Sequence, residues 1–228
     1  MNLVNVVIAG VGGQGNVLAC QIIGMVAVEE GWQVSAADTF GVSQRGGAVM
    51  SHLRLAKGRP YGPLIPAGEA DVVLGLEPME TVRVLRKYGN PRTRVLVNPR
   101  PNYPLAVLCG AASYPPIPVL LGAMAQNCAT VVEIPADRLA EEAGSLLTQN
   151  VVMTGALAGS GWLPLGIPTY EKVIRWLFRG AILEKNLQAF RLGVGAVRER
   201  LALAASPGRS GGIRQAPEEL RHTSSGGA

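Results

Sequence analysis

A glycine cluster near the start of the chain is the first group of residues that could bind a ligand. Residues 10–15 read GVGGQG and follow the G-x-G-x-x-G spacing. They lie between a short apolar run at residues 5–9, which predicts a buried strand, and an apolar repeat at residues 16–30, which predicts a helix. Glycines at such a turn let a phosphate approach backbone N–H groups at the helix N-terminus. The turn residues that we expect to contact a ligand are Gly12, Gly13, Gln14 and Gly15.

Asp38 extends this pattern towards a nucleotide site. It ends the next predicted strand, residues 33–39, at a position where a carboxylate can bind a ribose. The glycine turn and Asp38 are compatible with NAD or FAD, with another phosphate-bearing ligand, or with close strand–helix packing alone. The adjacent glycines at 12 and 13 also resemble the ATP loop of ubiquitin-activating-type adenylating proteins, but the paired C-x-x-C zinc motifs of those proteins are absent from the sequence.

A second glycine cluster follows the strand that ends near Asp38. Residues 39–47 read TFGVSQRGG, and their place after a strand predicts that they lie at the carboxyl edge of the sheet, beside the first glycine turn. Open α/β sheets bind their ligands along that edge. Two polar glycine loops meeting there favour a ligand or subunit contact over an ordinary solvated turn. The expected contact residues are Ser43, Gln44, Arg45, Gly46 and Gly47.

His52 and Glu77 are weaker candidates for the same site. His52 lies on a predicted strand, where a histidine is more often a hydrogen-bonded structural residue than a catalyst. Glu77 precedes Pro78 at the end of another strand, where a carboxylate can bind a ligand or cap the next helix, and capping is the interpretation that we favour. The sequence offers no Ser/His/Asp set with motif support and no H-E-x-x-H motif, so it is poor in catalytic groups.

The cysteines do not form a metal or disulfide pattern. The chain has three of them, Cys20, Cys109 and Cys128, and no two stand in C-x-x-C spacing. An odd number without paired spacing predicts reduced thiols and no disulfide framework. Such a set cannot by itself supply the ligands of an iron–sulfur cluster or a zinc site. We therefore expect no metal in this chain.

Charge and hydropathy restrict the partners and the compartment. The net charge is +5, but the basic residues are scattered, with no basic run interleaved with aromatic residues, so we expect no nucleic acid. The apolar stretch at residues 151–165 is shorter than the ~20 residues that a bilayer requires, and we expect no membrane contact. The N-terminus passes directly into an apolar strand without a basic region before it. These features predict a cytoplasmic protein.

The remaining pattern predicts an α/β fold, a Rossmann-like doubly wound and mostly parallel sheet with C-terminal helices. Further strands are predicted at residues 48–56, 70–76, 93–98 and 130–134. Further helices are predicted at residues 78–88, 136–143, 150–161 and 170–178, with an amphipathic helix at 183–201. Residues 1–204 are expected to form one domain, and the Gly-, Ser- and Pro-containing residues 205–228 a disordered tail.

Two segments are candidates for partner contact. Residues 99–118 contain six prolines and cannot be regular throughout. The glycine-rich helix within residues 151–165 has small side chains, Gly155 and Gly159 among them, that permit close approach of another backbone. An exposed loop and an ordinary core helix are the alternative interpretations of these two segments.

Several of these motifs together resemble one family. The GVGGQG turn, residues 40–47 (FGVSQRGG) leading to residues 51–54 (SHLR), residues 70–78 (ADVVLGLEP) and residues 186–193 (NLQAFRLG) are similar to the gamma-type subunit of 2-oxoacid:ferredoxin oxidoreductases. The similarity extends in order over roughly residues 3–200. Within that family, the pattern is most similar to the beta subunit of the indolepyruvate-type enzymes. Val42 stands where many relatives are expected to have Met.

The resemblance implies a supporting role in an oxidative decarboxylation. A large alpha subunit would hold thiamine diphosphate with Mg and the iron–sulfur clusters. Coenzyme A would accept the acyl group and ferredoxin the electrons. This chain would hold none of these cofactors alone, but its glycine loops would face the partner's active site or a phosphate-bearing ligand such as coenzyme A at the interface. The alternatives are a free-standing NAD(P)- or FAD-dependent oxidoreductase and a non-enzymatic nucleotide-binding module.

Overall fold

The computed structural model describes residues 2–40, 47–103, 105–205 and 213–215. Its strands are β1 (Leu3–Val11), β2 (Gln33–Phe40), β3 (Ala48–Ala56), β4 (Val72–Gly75), β5 (Arg94–Val97), β6 (Thr130–Glu133) and β7 (Ile213–Gln215). Its helices are α1 (Asn16–Glu29), α2 (Pro78–Tyr88), α3 (Leu105–Leu108), α4 (Ile117–Asn127), α5 (Ala136–Glu142), α6 (Gln149–Gly159), α7 (Ile167–Leu177) and α8 (Gly180–Ala205). No helix in these ranges is both long and apolar enough to cross a bilayer.

The strands form one mixed sheet in the order β2-β3-β1-β4-β5-β6-β7. β1, β4, β5 and β6 pair in parallel, whereas β3 is antiparallel to both β1 and β2. β2 therefore runs in the same direction as β1, although β3 lies between them. The predicted α/β fold with a mostly parallel sheet is confirmed. The position of β3 is the departure from the simple strand–helix–strand unit that the sequence suggested, because there the second strand would lie beside the first.

Helices cover both faces of the sheet, and successive residues of β1 contribute to both cores. Val4, Val6 and Ile8 pack into the larger apolar core, which also contains residues of α1, α6, α7 and α8. Val7 and Ala9 pack into a smaller core on the opposite face, with residues of α2 and α4. Side chains on a strand alternate between its two faces, so a continuous apolar run such as β1 is buried on both.

The small residues of α6 serve an internal contact. A Cβ at Gly155 would lie 2.1 Å from the Phe190 carbonyl oxygen, and a Cβ at Gly193 would lie 2.0 Å from the Val152 carbonyl oxygen. α6 and α8 therefore cross with their backbones in contact, as the small side chains predicted. The residues of α6 from Asn150 to Ala158 are buried by α8 together with α1, α5 and β5 of the same chain. The hypothesis that this helix contacts a partner subunit is thus wrong for α6 itself, because α8 of the same chain occupies its surface.

Two other predictions from the sequence need correction. The irregular segment ends earlier than residue 118, because α4 begins at Ile117 with Pro118 in its first turn, and the sequence analysis assigned no helix there. Proline is tolerated in a first turn, since those N–H groups have no intrahelical acceptor. Within the predicted disordered tail, Ile213–Gln215 forms β7, which pairs antiparallel with β6. The proposed domain boundary itself stays a prediction.

Candidate functional site

The glycine turn lies at the carboxyl end of β1, at the start of α1. Gly15 is the residue before the helix and has a left-handed backbone conformation, with φ +80°. A Cβ at this position would lie 2.4 Å from Nδ2 of Asn150, and that nitrogen donates a hydrogen bond to the Gly15 carbonyl oxygen at 3.2 Å. Gly15 is therefore required by its backbone conformation and by the close approach of α6. This role is structural and needs no ligand.

Gln14 folds back into the turn and stabilises it. Its Oε1 accepts a hydrogen bond from the Val11 backbone N–H at 2.9 Å, and its Nε2 donates to the Leu76 carbonyl oxygen at 3.1 Å. A Cβ at Gly10 would lie 2.8 Å from the Gln14 Oε1. Gln14 thereby ties the end of β1 to the end of β4, and Gly10 leaves the room that its side chain occupies.

Gly12 and Gly13 line an open polar pocket, together with Gln14, whereas Gly10 and Gly15 are not among its lining residues. The pocket has a volume of about 370 Å³ and lies between the glycine turn and the segment that follows β5. A Cβ at Gly13 would meet no atom within 4 Å, so no neighbouring atom explains this glycine, although its φ of +98° favours one. The polar residues that form the wall are Gln14, Asn98, Arg100, Asn102, Asp137 and Gln149.

Asn98 carries an unused hydrogen-bond acceptor beside this pocket. It follows β5 directly, is 2 % exposed, and donates from Nδ2 to the Asp137 carboxylate at 2.9 Å. Its Oδ1 has no hydrogen-bond partner among the described residues. Buried amide oxygens almost always accept a hydrogen bond. An unpartnered oxygen in the wall of a polar pocket is therefore suited to a ligand that donates a hydrogen bond.

Arg100 provides the positive charge of the pocket. Its guanidinium lies 2.6 Å from the Asp137 carboxylate, which also accepts the Asn98 hydrogen bond. The side chain of Arg100 is 58 % exposed and can turn towards a bound anion. Leu146 and Leu147 form an apolar rim next to this charge, and both are solvent-exposed. The pocket thus combines an arginine that is paired with the Asp137 carboxylate, an unpartnered hydrogen-bond acceptor and an apolar border.

The second glycine cluster ends beside the first, as predicted. The Gly12 backbone N–H donates to the Gly47 carbonyl oxygen at 2.9 Å. Ser43, Gln44, Arg45 and Gly46 lie outside the described residues, so their role as contact residues stays a prediction.

Asp38 is not brought into the polar pocket. β3 separates its strand from β1, and Asp38 is paired across the sheet with Ser51, whose hydroxyl donates a hydrogen bond to the Asp38 carboxylate. Two strand spacings of about 4.8 Å each lie between the two strands. A carboxylate on β2 is thus displaced from the place that a ribose-binding residue takes beside a first strand, which argues against the dinucleotide interpretation.

His52 is a structural residue. It is 1 % exposed, its Nδ1 accepts a hydrogen bond from the Ile65 backbone N–H at 3.3 Å, and its ring meets Tyr88 edge to face at 4.9 Å. Burial, and next the nearby Lys87 charge, lower the pKa of His52 below its ordinary value of 6.5. The imidazole is therefore kept neutral in the core, in agreement with the interpretation that the sequence analysis favoured.

Glu77 caps α2 and also anchors the segment after β5. Its carboxylate accepts a hydrogen bond from the Glu80 backbone N–H at 2.8 Å, as the capping interpretation predicted. The other carboxylate oxygen accepts the Tyr114 hydroxyl at 2.5 Å and the Asn102 backbone N–H at 3.4 Å. Burial, and next the Glu77 hydrogen bond, raise the pKa of Tyr114, so its hydroxyl remains a donor. Glu77 thus holds Asn102, a residue of the pocket wall, in place.

The sequence analysis missed Asn98, Arg100 and Asp137. The signal that could have found the first two is their position, since residues 98–100 follow β5 at the same edge of the sheet as the glycine turn. Asp137 lies in the first turn of α5 and gives no such signal. Across the ranges that the structure describes, no group of three or more His, Cys, Asp or Glu side chains could hold a metal ion.

Comparison with known proteins assigns the class. Residues 5–196 match the family described as pyruvate ferredoxin/flavodoxin oxidoreductase. The indolepyruvate oxidoreductase subunit IorB of Archaeoglobus fulgidus is 40 % identical over 189 residues, which cover 83 % of this chain and 92 % of that subunit. The chain belongs to this family. Within it, the chain is a small subunit of the 2-oxoacid:ferredoxin oxidoreductase type, as the resemblance of its motifs implied.

Solved structures show the same fold. The gamma subunit of a keto/oxoacid ferredoxin oxidoreductase from Geobacter sulfurreducens superposes with a TM-score of 0.63 at 21 % identity, over 86 % of this chain and 99 % of that one. The 2-oxoglutarate:ferredoxin oxidoreductase of Magnetococcus marinus gives a TM-score of 0.67 at 22 % identity. The superposition covers 87 % of this chain but only 32 % of the Magnetococcus chain. The fold therefore occurs both as a separate subunit and as part of a longer polypeptide.

Proposed function

We propose that this chain assists the thiamine-dependent oxidative decarboxylation of an aryl pyruvate such as indolepyruvate. A large alpha subunit would hold thiamine diphosphate, Mg and the iron–sulfur clusters. The 2-oxoacid would lose carbon dioxide, coenzyme A would take the acyl group, and ferredoxin would take the electrons through the complex. The relatives named for indolepyruvate, which include one from Thermococcus kodakarensis at 36 % identity over 98 % of its length, support this substrate class.

The polar pocket is the observation that carries the role of this chain in the reaction. We infer that Gly12, Gly13 and Arg100 face a phosphate-bearing ligand, with coenzyme A as the ligand that the reaction requires. Arg100 supplies a charge for a phosphate, and the Oδ1 of Asn98 accepts a hydrogen bond from a hydroxyl or amide of the same molecule. Leu146 and Leu147 offer apolar surface to its less polar part.

Arg45 belongs to the same proposal on sequence grounds. It precedes Gly46 and Gly47 in the sequence, and the Gly47 carbonyl oxygen accepts the hydrogen bond from the Gly12 backbone N–H. Replacing Arg45 by Ala is expected to raise the KM for coenzyme A in the assembled enzyme. An unchanged KM in an intact complex would remove Arg45 from the site.

The decisive experiment is assembly followed by assay. The full chain would be produced alone and together with a large thiamine- and cluster-binding subunit from the same genome. The proposal expects a stable complex that reduces ferredoxin only when a 2-oxoacid and coenzyme A are both present. It also expects the isolated chain to bind NAD(P) and FAD weakly or not at all. Tight binding of either nucleotide by the isolated chain, with substrate turnover, would instead support the free-standing oxidoreductase.

A further inference from the structure

The edge strand β2 is contacted at its start, where the side chains of Gln33 and Ser35 donate hydrogen bonds to backbone carbonyl oxygens of the loop after β3, but its later residues have no such cover among the described residues. Among the described residues, β2 is the terminal strand of the sheet and pairs on one side only, with β3, from Gln33 to Phe40. Natural edge strands are commonly blocked by Lys, Pro or a bulge, because a bare edge pairs with other strands. β2 reads QVSAADTF, contains neither Lys nor Pro, and has Asp38 as its only charged residue. Its middle and end are solvent-accessible, with Ala36 and Asp38 both exposed.

Apolar surface borders this edge on both faces of the sheet. On the α1 side, a groove of about 490 Å³ is lined by Val17, Val28, Val34, Ala36 and Trp176, with Asp38 at its border. Three of these side chains are well exposed, at 44 % for Val17, 61 % for Val28 and 52 % for Trp176. On the α2 side, a second groove of about 290 Å³ lies beside Thr39, Met50 and Tyr88. Exposed apolar patches of this kind mark interaction surfaces.

The charge on β2 argues against a second copy of the same chain. Symmetric pairing of two β2 strands would place Asp38 against a strand that has no Lys or Arg. Asp38 has no ion pair within the described ranges, and burying it without a cation would be costly. A partner strand that carries Lys or Arg opposite Asp38 would remove this cost and provide the complementary charge.

The end of this chain is also a poor fit to the groove. The last described residues, Ile213–Gln215, form β7, which lies at the opposite end of the sheet from β2. Six strand spacings of about 4.8 Å separate the two edge strands, and helices cover both faces between them. The residues that follow, 216–228, contain one large apolar side chain, Leu220. They offer little to fill a groove bordered by Val28 and Trp176.

We propose that β2 receives an extended segment of the large subunit, which adds a strand to this sheet. The segment would place apolar side chains in the groove between α1 and β2 and a Lys or Arg next to Asp38. Backbone hydrogen bonds to the free edge would supply affinity, and the alternating side chains would supply specificity. The inference rests on the proposed function only in naming the large subunit as the source of the segment.

Hydrogen exchange of the β2 amides tests this inference without any substitution. Exchange at residues 34–39 would be measured in the isolated full chain, over a series of concentrations, and in the complex with the large subunit. The outward-facing amides should exchange about a hundredfold more slowly in the complex alone. Equal exchange in both states would overturn the inference and leave the proposed function intact. Failure of the two chains to associate would overturn both.

The same measurement would reveal whether a second copy of the chain, or another part of the same chain, covers the β2 edge instead. Protection that rises with the concentration of the isolated chain would assign the edge to a second copy. Protection that is already complete in the dilute isolated chain would assign it to this polypeptide itself. Either result overturns the proposed partner segment.

A charge on the edge should weaken assembly. Ala36→Lys places a blocking lysine on an exposed position of β2, whereas Val119→Lys places the same charge on α4, where Val119 is 59 % exposed. The first substitution is expected to raise the dissociation constant of the two-subunit complex by about tenfold or more, and the second by less than about twofold. The melting temperature of each isolated variant would report whether the fold is intact. Equal effects of the two lysines would contradict strand addition at β2.

Discussion

The glycines at the end of β1 and the glycines between α6 and α8 look alike in sequence but differ in structure. In the helix pair, Gly155 and Gly193 each leave no room for a side chain, because a carbonyl oxygen of the other helix lies about where a Cβ would be. In the turn, Gly13 has open space around its Cβ position and faces a polar pocket. Glycine serves close packing in the first region and an accessible backbone in the second.

The turn itself combines both uses. Gly10 and Gly15 are required by the side chains of Gln14 and Asn150, which fill the space beside them. Gly12 and Gly13 line the pocket. The spacing that resembles a nucleotide-binding motif is thus partly a packing motif, and only part of it can face a ligand. Substitutions in the two regions should therefore separate stability from binding.

The largest effect is expected in the helix pair. Gly155→Ala would place a Cβ 2.1 Å from the Phe190 carbonyl oxygen and force α6 and α8 apart. We expect the free energy of unfolding to fall by about 3 kcal/mol, as for a severe case of overpacking. Urea denaturation of the isolated chain measures it. Gly195→Ala on α8 is the control, because nothing lies within 4 Å of its Cβ, and it should stabilise the helix by roughly 0.5–1 kcal/mol. Equal effects of the two substitutions would contradict the assigned helix contact.

A smaller loss of stability is expected at the carboxyl edge. Glu77→Ala removes the cap of α2 and leaves the half-buried Tyr114 hydroxyl without its acceptor. The combined loss should be about 2 kcal/mol in urea denaturation. Glu69→Ala removes an exposed carboxylate from the loop before β4, at the opposite end of that strand, and should change stability by less than about 0.5 kcal/mol. A value for Glu77→Ala as small as that of the control would show that the network does not support the edge.

Replacing Arg100 is expected to weaken ligand binding without changing the stability of the fold. Arg100→Ala removes the charge of the pocket from a side chain that is 58 % exposed. The free energy of unfolding should change by less than about 0.5 kcal/mol, since exposed ion pairs contribute little. The KM for coenzyme A of the assembled enzyme should rise about tenfold, which corresponds to about 1.4 kcal/mol.

Arg92→Ala is the matched control for Arg100→Ala. Arg92 is exposed and precedes β5, at the opposite edge of the sheet from the pocket. Its removal should leave the KM unchanged. An equal rise in KM for both substitutions would indicate a general charge effect and no binding at the pocket.

The smallest effect is expected from His52, which lies in the core on the α2 face. Its pKa is lowered in the folded state, mainly by burial, so the unfolded chain binds the proton first as the pH falls. The stabilisation is therefore complete above pH 6.5 and is lost as the pH decreases below that value towards the folded-state pKa. The free energy of unfolding should therefore decrease across this window. His52→Gln should remove the pH dependence, and His222→Gln should retain it; the reverse would place the titrating group elsewhere.

Much of the fold could be predicted because its signals are local. The apolar run of β1, the helical repeat of α1 and the proline at the start of α2 each appear within a few residues, and the structure has these elements close to their predicted bounds. The cap by Glu77 is equally local, since its partner is the N–H three residues later. α4 was missed because two prolines at its start resemble an irregular segment when the first-turn exception is not considered.

The candidate site was predicted in part, for the same reason. The GVGGQG turn and the position of Gly47 beside it follow from strand order along the chain and from the rule that ligands bind at the carboxyl edge. Asn98, Arg100 and Asp137 come from elements far from the turn in sequence, so no short motif connects them to it. The role of Asp38 depended on which strand lies beside β1, and the short-range pattern contains no information about the insertion of β3.

By itself, the amino-acid sequence determined most of the strands and helices, with α4 and β7 as exceptions, where the glycine turn lies, and which family the chain resembles. These properties depend on side-chain periodicity, backbone conformational freedom and motif order, all of which act over short stretches. Only the tertiary structure decided that Gly155 meets Phe190, that Asn98 faces Gly12 across a pocket, and that no described strand pairs with the outer side of β2. Those outcomes depend on contacts between residues distant in the chain, which form only when the whole sheet and its helices pack together.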